Sequence, residues 1–181
     1  MEAMSRNIGF GPFLKESLSV YYDILTPTKC NCDFVAKYNE RNSAYALKKE
    51  IEYYAFENNE VIFYERLDEV TLEKIESIKS LFDKGHVEFV ENSKDHMATS
   101  MYYVIEIDMP QASDVVRAIK RFRFYKSFRF GLDGWVNGSI ILIDTTRQKG
   151  FSNPYGRREC KRLIKLHGKF IEKIVSQTTS I

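Results

Sequence analysis

Between residues 61 and 108 the hydrophobic period changes twice, and each change fixes an element. Val61, Phe63, Glu65 and Leu67 alternate with Ile62, Tyr64 and Arg66. That period of two belongs to a strand. Leu72, Ile75, Ile78 and Phe82 then recur at helical spacing, behind Thr71 as a plausible N-cap and ahead of Gly85, placed where a helix end needs positive φ. Met101, Tyr103, Ile105 and Ile107 return to alternation, against Tyr102, Val104, Glu106 and Asp108. The outward face of this strand begins apolar and ends acidic, and the strand is expected at the centre of a sheet.

The rest of the chain reads around this core. Gly11-Pro12 followed by Leu14, Leu18, Tyr21 and Leu25 predicts a first helix, closed by Thr26-Pro27-Thr28. Phe34, Ala36 and Tyr38 predict a strand, and Asn42-Ser43 a turn. Residues 44–56 combine strand-like alternation with helix-forming composition and are read as strand, with Glu57-Asn58-Asn59-Glu60 as the turn after it. Pro110 opens a third helix carrying Val115, Ile119 and Phe122. Strands over 124–130 and 136–144 follow, joined by Gly131-Leu132-Asp133-Gly134. After Asn153-Pro154-Tyr155-Gly156, the residues Cys160, Leu163, His167, Phe170 and Ile174 share one face of a last helix.

The order α-β-β-β-α-β-α-β-β-α describes a single α+β domain over residues 1–181, a mixed sheet flanked by helices. With 181 residues, 44% hydrophobic and 14% aromatic, the chain can bury a substantial core. It has no apolar run long enough for a signal peptide or a membrane span, and its odd set of cysteines, Cys30, Cys32 and Cys160, suggests no disulfide framework. A soluble cytoplasmic protein without membrane association is expected.

Charge is divided along the chain. Residues 1–110 carry 12 Lys+Arg against 20 Asp+Glu, and residues 111–181 carry 15 against 5. From Lys120 to Phe130, Phe122, Phe124, Phe128 and Phe130 share one parity, and Arg121, Arg123, Tyr125 and Arg129 the other. If this is strand, one face is aromatic core and the other is guanidinium, which donates bidentate hydrogen bonds to phosphates. The last helix adds a basic stripe of Arg158, Arg162, Lys165, Lys169 and Lys173. The leading expectation is a non-enzymatic module in which Arg121, Arg123, Arg129, Arg158, Arg162, Lys165 and Lys169 bind nucleic acid or another anionic partner such as an acidic protein. The plainer reading is a solvated or ion-paired surface, with the stripe facing Glu73, Glu76 and Asp83 of the second helix. A third expectation is a homodimer or structural protein whose acidic and basic halves pair.

No catalytic signature accompanies the charge, and no cofactor is expected. The opening order α-β-β-β-α-β matches the core of restriction-endonuclease-like nucleases, so a divergent metal-dependent nuclease is the enzymatic alternative. Such an enzyme needs a strand acid and a Glu-x-Lys or Asp-x-Lys, which is missing; Glu106 and Asp108 are its weak metal-binding candidates. Cys30-Asn31-Cys32 is a poor zinc half-site, and His86, His96 and His167 are scattered. Trp135, the sole tryptophan, is read as a core anchor at a strand start.

The segment Lys126-Ser127-Phe128-Arg129-Phe130-Gly131-Leu132-Asp133-Gly134-Trp135, the run Ile140-Ile141-Leu142-Ile143-Asp144 and Asp95-His96-Met97 together resemble an uncharacterised bacterial protein family found mainly in clostridia. The resemblance extends from about Phe13 to Gly156. It implies a single domain and no known activity. The family tends to carry an acidic and a basic residue just after the tryptophan, where this chain has Asn137 and Ser139.

Overall fold

The computed structural model describes residues 9–27, 30–38, 58–89, 98–128 and 135–178. Its elements are α1 (Phe10–Leu18), β1 (Asp23–Leu25), β2 (Phe34–Tyr38), β3 (Asn58–Arg66), α2 (Leu72–Phe89), β4 (Ala98–Ile107), α3 (Ser113–Arg121), β5 (Phe124–Ser127), β6 (Trp135–Asp144), β7 (Lys149–Ser152) and α4 (Arg157–Thr178). The strands form one mixed sheet in the order β1-β2-β3-β4-β6-β5, with β7 also paired to β6. The central trio β3, β4 and β6 is parallel, and every other pairing is antiparallel. The fold is α+β, as the periodicities predict.

Alternation along the strands divides the side chains between two layers. Val61, Phe63, Met101, Tyr103, Ile105, Ile140 and Leu142 pack with Ile75, Ile78 and Phe82 of α2 and with Val115 and Ile119 of α3. Ile62, Tyr64, Val104, Ile141 and Ile143 face the other way, onto Phe10, Leu14 and Leu18 of α1 and Leu163 and Phe170 of α4. Each such ring or branched side chain taken from water contributes roughly 1.5–3 kcal/mol. Helices therefore cover both faces, and β4 is the buried centre.

Several local expectations change. The first helix stops at Leu18, where the backbone N–H groups of Tyr21 and Tyr22 donate to the Leu18 carbonyl. Asp23–Leu25 instead forms an edge strand on β2, so the spacing through Tyr21 and Leu25 had no packed face behind it; both are exposed. Asn58, Asn59 and Glu60 lie inside β3, where pairing with β4 overrides their turn chemistry. Thr71 does cap α2, accepting from the Lys74 N–H at 3.2 Å, but Gly85 does not end it. A mid-helix glycine costs only about 1 kcal/mol, which tertiary packing outweighs. Phe122 and Phe124 are buried and Phe128 packs against the same core, whereas Trp135 is 37% exposed because Val136 takes the inward position. Residues 44–56, the Asn42-Ser43 turn, Phe130 and the Gly131–Gly134 link lie outside the described residues.

Candidate functional site

Strand β7 was not anticipated, and it organises the basic half of the chain. It leaves β6 through the turn at residues 145–148, where Gln148 adopts φ 52°, a left-handed geometry without the glycine that usually marks it. Antiparallel pairing of Ile141–Asp144 with Lys149–Ser152 sets β7 at the sheet margin. Phe151 turns toward the α2/α3 core, with the Lys120 Nζ of α3 5.2 Å from its ring centroid. Gly150 turns the other way, and a Cβ there would collide with the Cys160 Sγ and lie 3.0 Å from Ile164, so α4 packs directly on the β7 backbone.

Where β7 meets α4 there is a groove of about 470 Å³. Gly150, Phe151, Cys160 and Ile164 line it with apolar groups, and Lys149, Lys161 and Lys165 line it with charge, beside Gln148. The nearby acids are occupied internally. Asp144 is buried and pairs with Arg147, 3.5 Å from its Nε, and accepts from the Arg147 N–H at 2.9 Å. Glu159 is buried and accepts two hydrogen bonds from Arg162, at 2.8 Å and 2.6 Å. Asp144 and Glu159 are the only acidic residues between 135 and 168. The outer surface of these segments is therefore left with lysine and arginine.

The anticipated anion-binding residues fall into different settings. Lys165 lines the groove and Lys169 follows one turn later, exposed. Arg158 is exposed in the first turn of α4 and lowers the proton affinity of Glu60. Arg121 belongs to the last turn of α3, not to a strand, and Arg123 folds back to donate to the carbonyls of Lys120 at 3.3 Å and Phe122 at 2.8 Å. A guanidinium there satisfies helix-end carbonyls. Arg129 lies outside the described residues. Arg162 sits in a half-buried polar cluster: burial pulls its guanidinium down, but the hydrogen bonds and charge of Glu159 overcome this and hold it above its ordinary value. Glu60 lies nearby and accepts from the Tyr22 hydroxyl at 2.6 Å; burial first, then the charge of Glu159, raises its carboxyl above the usual range.

Lys149 and Lys161 were absent from the anticipated set. The stripe Arg157, Lys161, Lys165 at spacing four was present in the sequence, but which of two basic stripes faces solvent depends on where α4 meets β7. The anticipated pairing of the stripe Arg158, Arg162, Lys165, Lys169 and Lys173 with Glu73, Glu76 and Asp83 does not occur, because α2 and α4 cover opposite faces of the sheet. Asp83 instead pairs with Lys126, 3.0 Å away.

Glu106 and Asp108 sit beside an arginine. The Arg66 guanidinium lies 3.6 Å from Glu106 and 3.2 Å from Asp108, where a divalent ion would have to sit, and the Tyr64 hydroxyl donates to Glu106. Burial raises the Glu106 carboxyl above its ordinary range. Among the described residues no three His, Cys, Asp or Glu side chains converge as metal ligands. Cys30, Cys32 and Cys160 are free thiols, and burial pushes those of Cys32 and Cys160 up, away from nucleophilic thiolate.

A family model described as a domain of unknown function, DUF8052, matches residues 12–166. The chain belongs to this family. The DUF8052 match takes in the whole of the β7–α4 groove and ends at Leu166, before Lys169 and His167. No curated protein and no solved structure matches the chain. Among the described residues, no helix of this DUF8052 member is long and apolar enough to cross a membrane.

Proposed function

We propose that this DUF8052 domain is a non-enzymatic binding module for a polyanion, nucleic acid first, and that the β7–α4 groove is its contact surface. The observation that carries the reading is the separation of charges around the groove. Lys149, Lys161 and Lys165 line it, while Asp144 and Glu159 are buried against their own arginines. Ammonium groups make point contacts with phosphate oxygens and need no particular base. Arg158 and Lys169, exposed on the same helix, add positive charge beside the groove, and the half-buried Arg162 is engaged by Glu159. The proposed binding is independent of sequence and falls steeply with salt, as counterion release requires.

Fluorescence anisotropy with mixed-sequence DNA and RNA, titrated at low and high salt, tests this. Binding at low salt should weaken log-linearly as salt rises, and the triple variant K149E/K161E/K165E should weaken it by more than about tenfold and flatten the salt slope. Lys79→Glu, on exposed α2 across the sheet, should change little. Absence of salt-dependent binding, or binding indifferent to the triple variant, defeats the proposal.

A further inference from the structure

A second cleft, of about 290 Å³, opens at the carboxyl ends of β3 and β4 on the α1/α4 side. It shares no lining residue with the groove and carries a different chemistry. Phe10, Phe170, Ile171 and Ile174 line it with apolar surface, and Arg66 and His167 are among its polar groups. In open sheets with parallel strands, the crevice outside the carboxyl ends is a recurrent ligand position, though the residues must make the case.

Three observations make it. Arg66 is 54% exposed and held in place by Asp108 and Glu106, so its fork is oriented before anything binds. Glu106 also lines the cleft, 3.6 Å from the guanidinium and beyond hydrogen-bond length, while burial raises its carboxyl above the ordinary range. Asp33, which accepts from the Arg66 N–H at 3.0 Å, and Asp108 are both exposed and neither lines the cleft. His167 is 2% exposed and its Nδ1 has no hydrogen-bond partner, although buried polar groups almost always have one. Burial holds its imidazole toward the neutral form. The cleft thus combines one cation, one carboxyl of raised proton affinity, neutral hydrogen-bonding groups and an apolar wall.

We propose that this cleft binds a small monocarboxylic acid, its carboxylate on the Arg66 guanidinium and its apolar chain along Phe170, Ile171 and Ile174. A planar carboxylate matches the arginine fork, and a single negative charge suits a site flanked by Asp108 better than a doubly charged phosphate. An amine would meet Arg66 with like charge. The volume lies at the lower end of ligand cavities, which are about 300–1,000 Å³, so the chain must be short. The inference stands apart from the polyanion reading, since the two sites have separate lining residues.

Calorimetric titration and thermal unfolding of the full chain with hexanoate, acetate, hexan-1-ol and hexylammonium decide it. Hexanoate should bind with a stoichiometry of one, at least about tenfold tighter than the other three probes, and raise the unfolding temperature. Arg66→Met should remove the preference for hexanoate over hexan-1-ol. Ile174→Trp, a half-buried position on the cleft wall, should abolish hexanoate binding while leaving cooperative unfolding intact, which separates loss of the cleft from loss of the fold. Hexanoate binding no tighter than hexylammonium or hexan-1-ol, unaffected by Ile174→Trp, or absent overturns the proposal.

Discussion

Glu60 is a half-buried carboxyl. It faces the Glu159–Arg162 pair across the α1/α4 side of the sheet and accepts from Tyr22, and burial with the charge of Glu159 raises its carboxyl despite Tyr22, Arg162 and Arg158. The folded chain therefore holds this proton more tightly than the unfolded chain does. The resulting stability is fully present below the unfolded value, near pH 4.3, and is lost as pH rises through the folded value. Glu60→Gln keeps an acceptor for the Tyr22 hydroxyl and removes the charge. Relative to the parent, the variant should gain stability in urea denaturation as pH rises above the unfolded value, because only the parent must ionise this half-buried group. A variant whose stability runs parallel to the parent across that range would show that Glu60 is not the titrating group. The same carboxylate marks a limit of sequence reading: Glu57-Asn58-Asn59-Glu60 has turn chemistry, and only pairing with Tyr38 and Ser100 reveals a strand residue.

Between elements, the decisive contact is the seat of β7 on α4. Gly150 allows Cys160 and Ile164 to meet the strand backbone, and any larger residue pushes the helix away. Gly150→Ala should cost about 1–3 kcal/mol, the range for overpacking a filled site. Adding Cys160→Ala to Gly150→Ala removes the sulfur that the new Cβ would strike, so the double variant should recover part of the loss. Chemical denaturation of the four proteins measures this coupling, and strict additivity would mean that the two residues do not share the contact. The helical and strand periods at Val61–Leu67, Leu72–Phe82 and Met101–Asp108 were legible because long buried faces impose them. β7 was not, since four residues give too little alternation and its entry turn lacks glycine. The overrun of the first helix has the converse cause, an apolar spacing at Tyr21 and Leu25 with nothing packed behind it.

At the scale of the whole molecule, the charge division along the chain does not become a division of surfaces, because α3, with Arg117, Lys120 and Arg121, lies on the same face of the sheet as α2. α2, with Glu73 and Glu76, covers one face of the sheet, while α4, with Lys161, Lys165 and Lys169, covers the other. Contact between α4 of one copy and Glu73 and Glu76 of another would run head to tail, which does not close into a pair, so charge pairing between copies would give open assemblies that dissolve as salt rises. We expect instead the mass of one chain by sedimentation at both low and high salt, with the lysine groove open. A mass that grows at low salt would favour pairing of the two halves over binding of a foreign polyanion.

By itself the sequence determined the α+β class, the central strand at Met101–Ile107, the helix behind Thr71 and the existence of a basic half. These follow from local rules: side-chain periodicity reports which face is buried, and charge can be counted along a chain. The tertiary structure decided which cations are available. Arg162 and Lys165 look equivalent in the stripe, three residues apart. Glu159, on the same helix, takes Arg162 inward beside Glu60 from β3, while β7 leaves Lys165 at the edge of a groove. Glu106 and Asp108 look like a metal pair until Arg66, forty residues earlier than Glu106, lies against both. Contacts of this kind join residues far apart in the chain, and their partners are set by strand order and register, which no local pattern encodes.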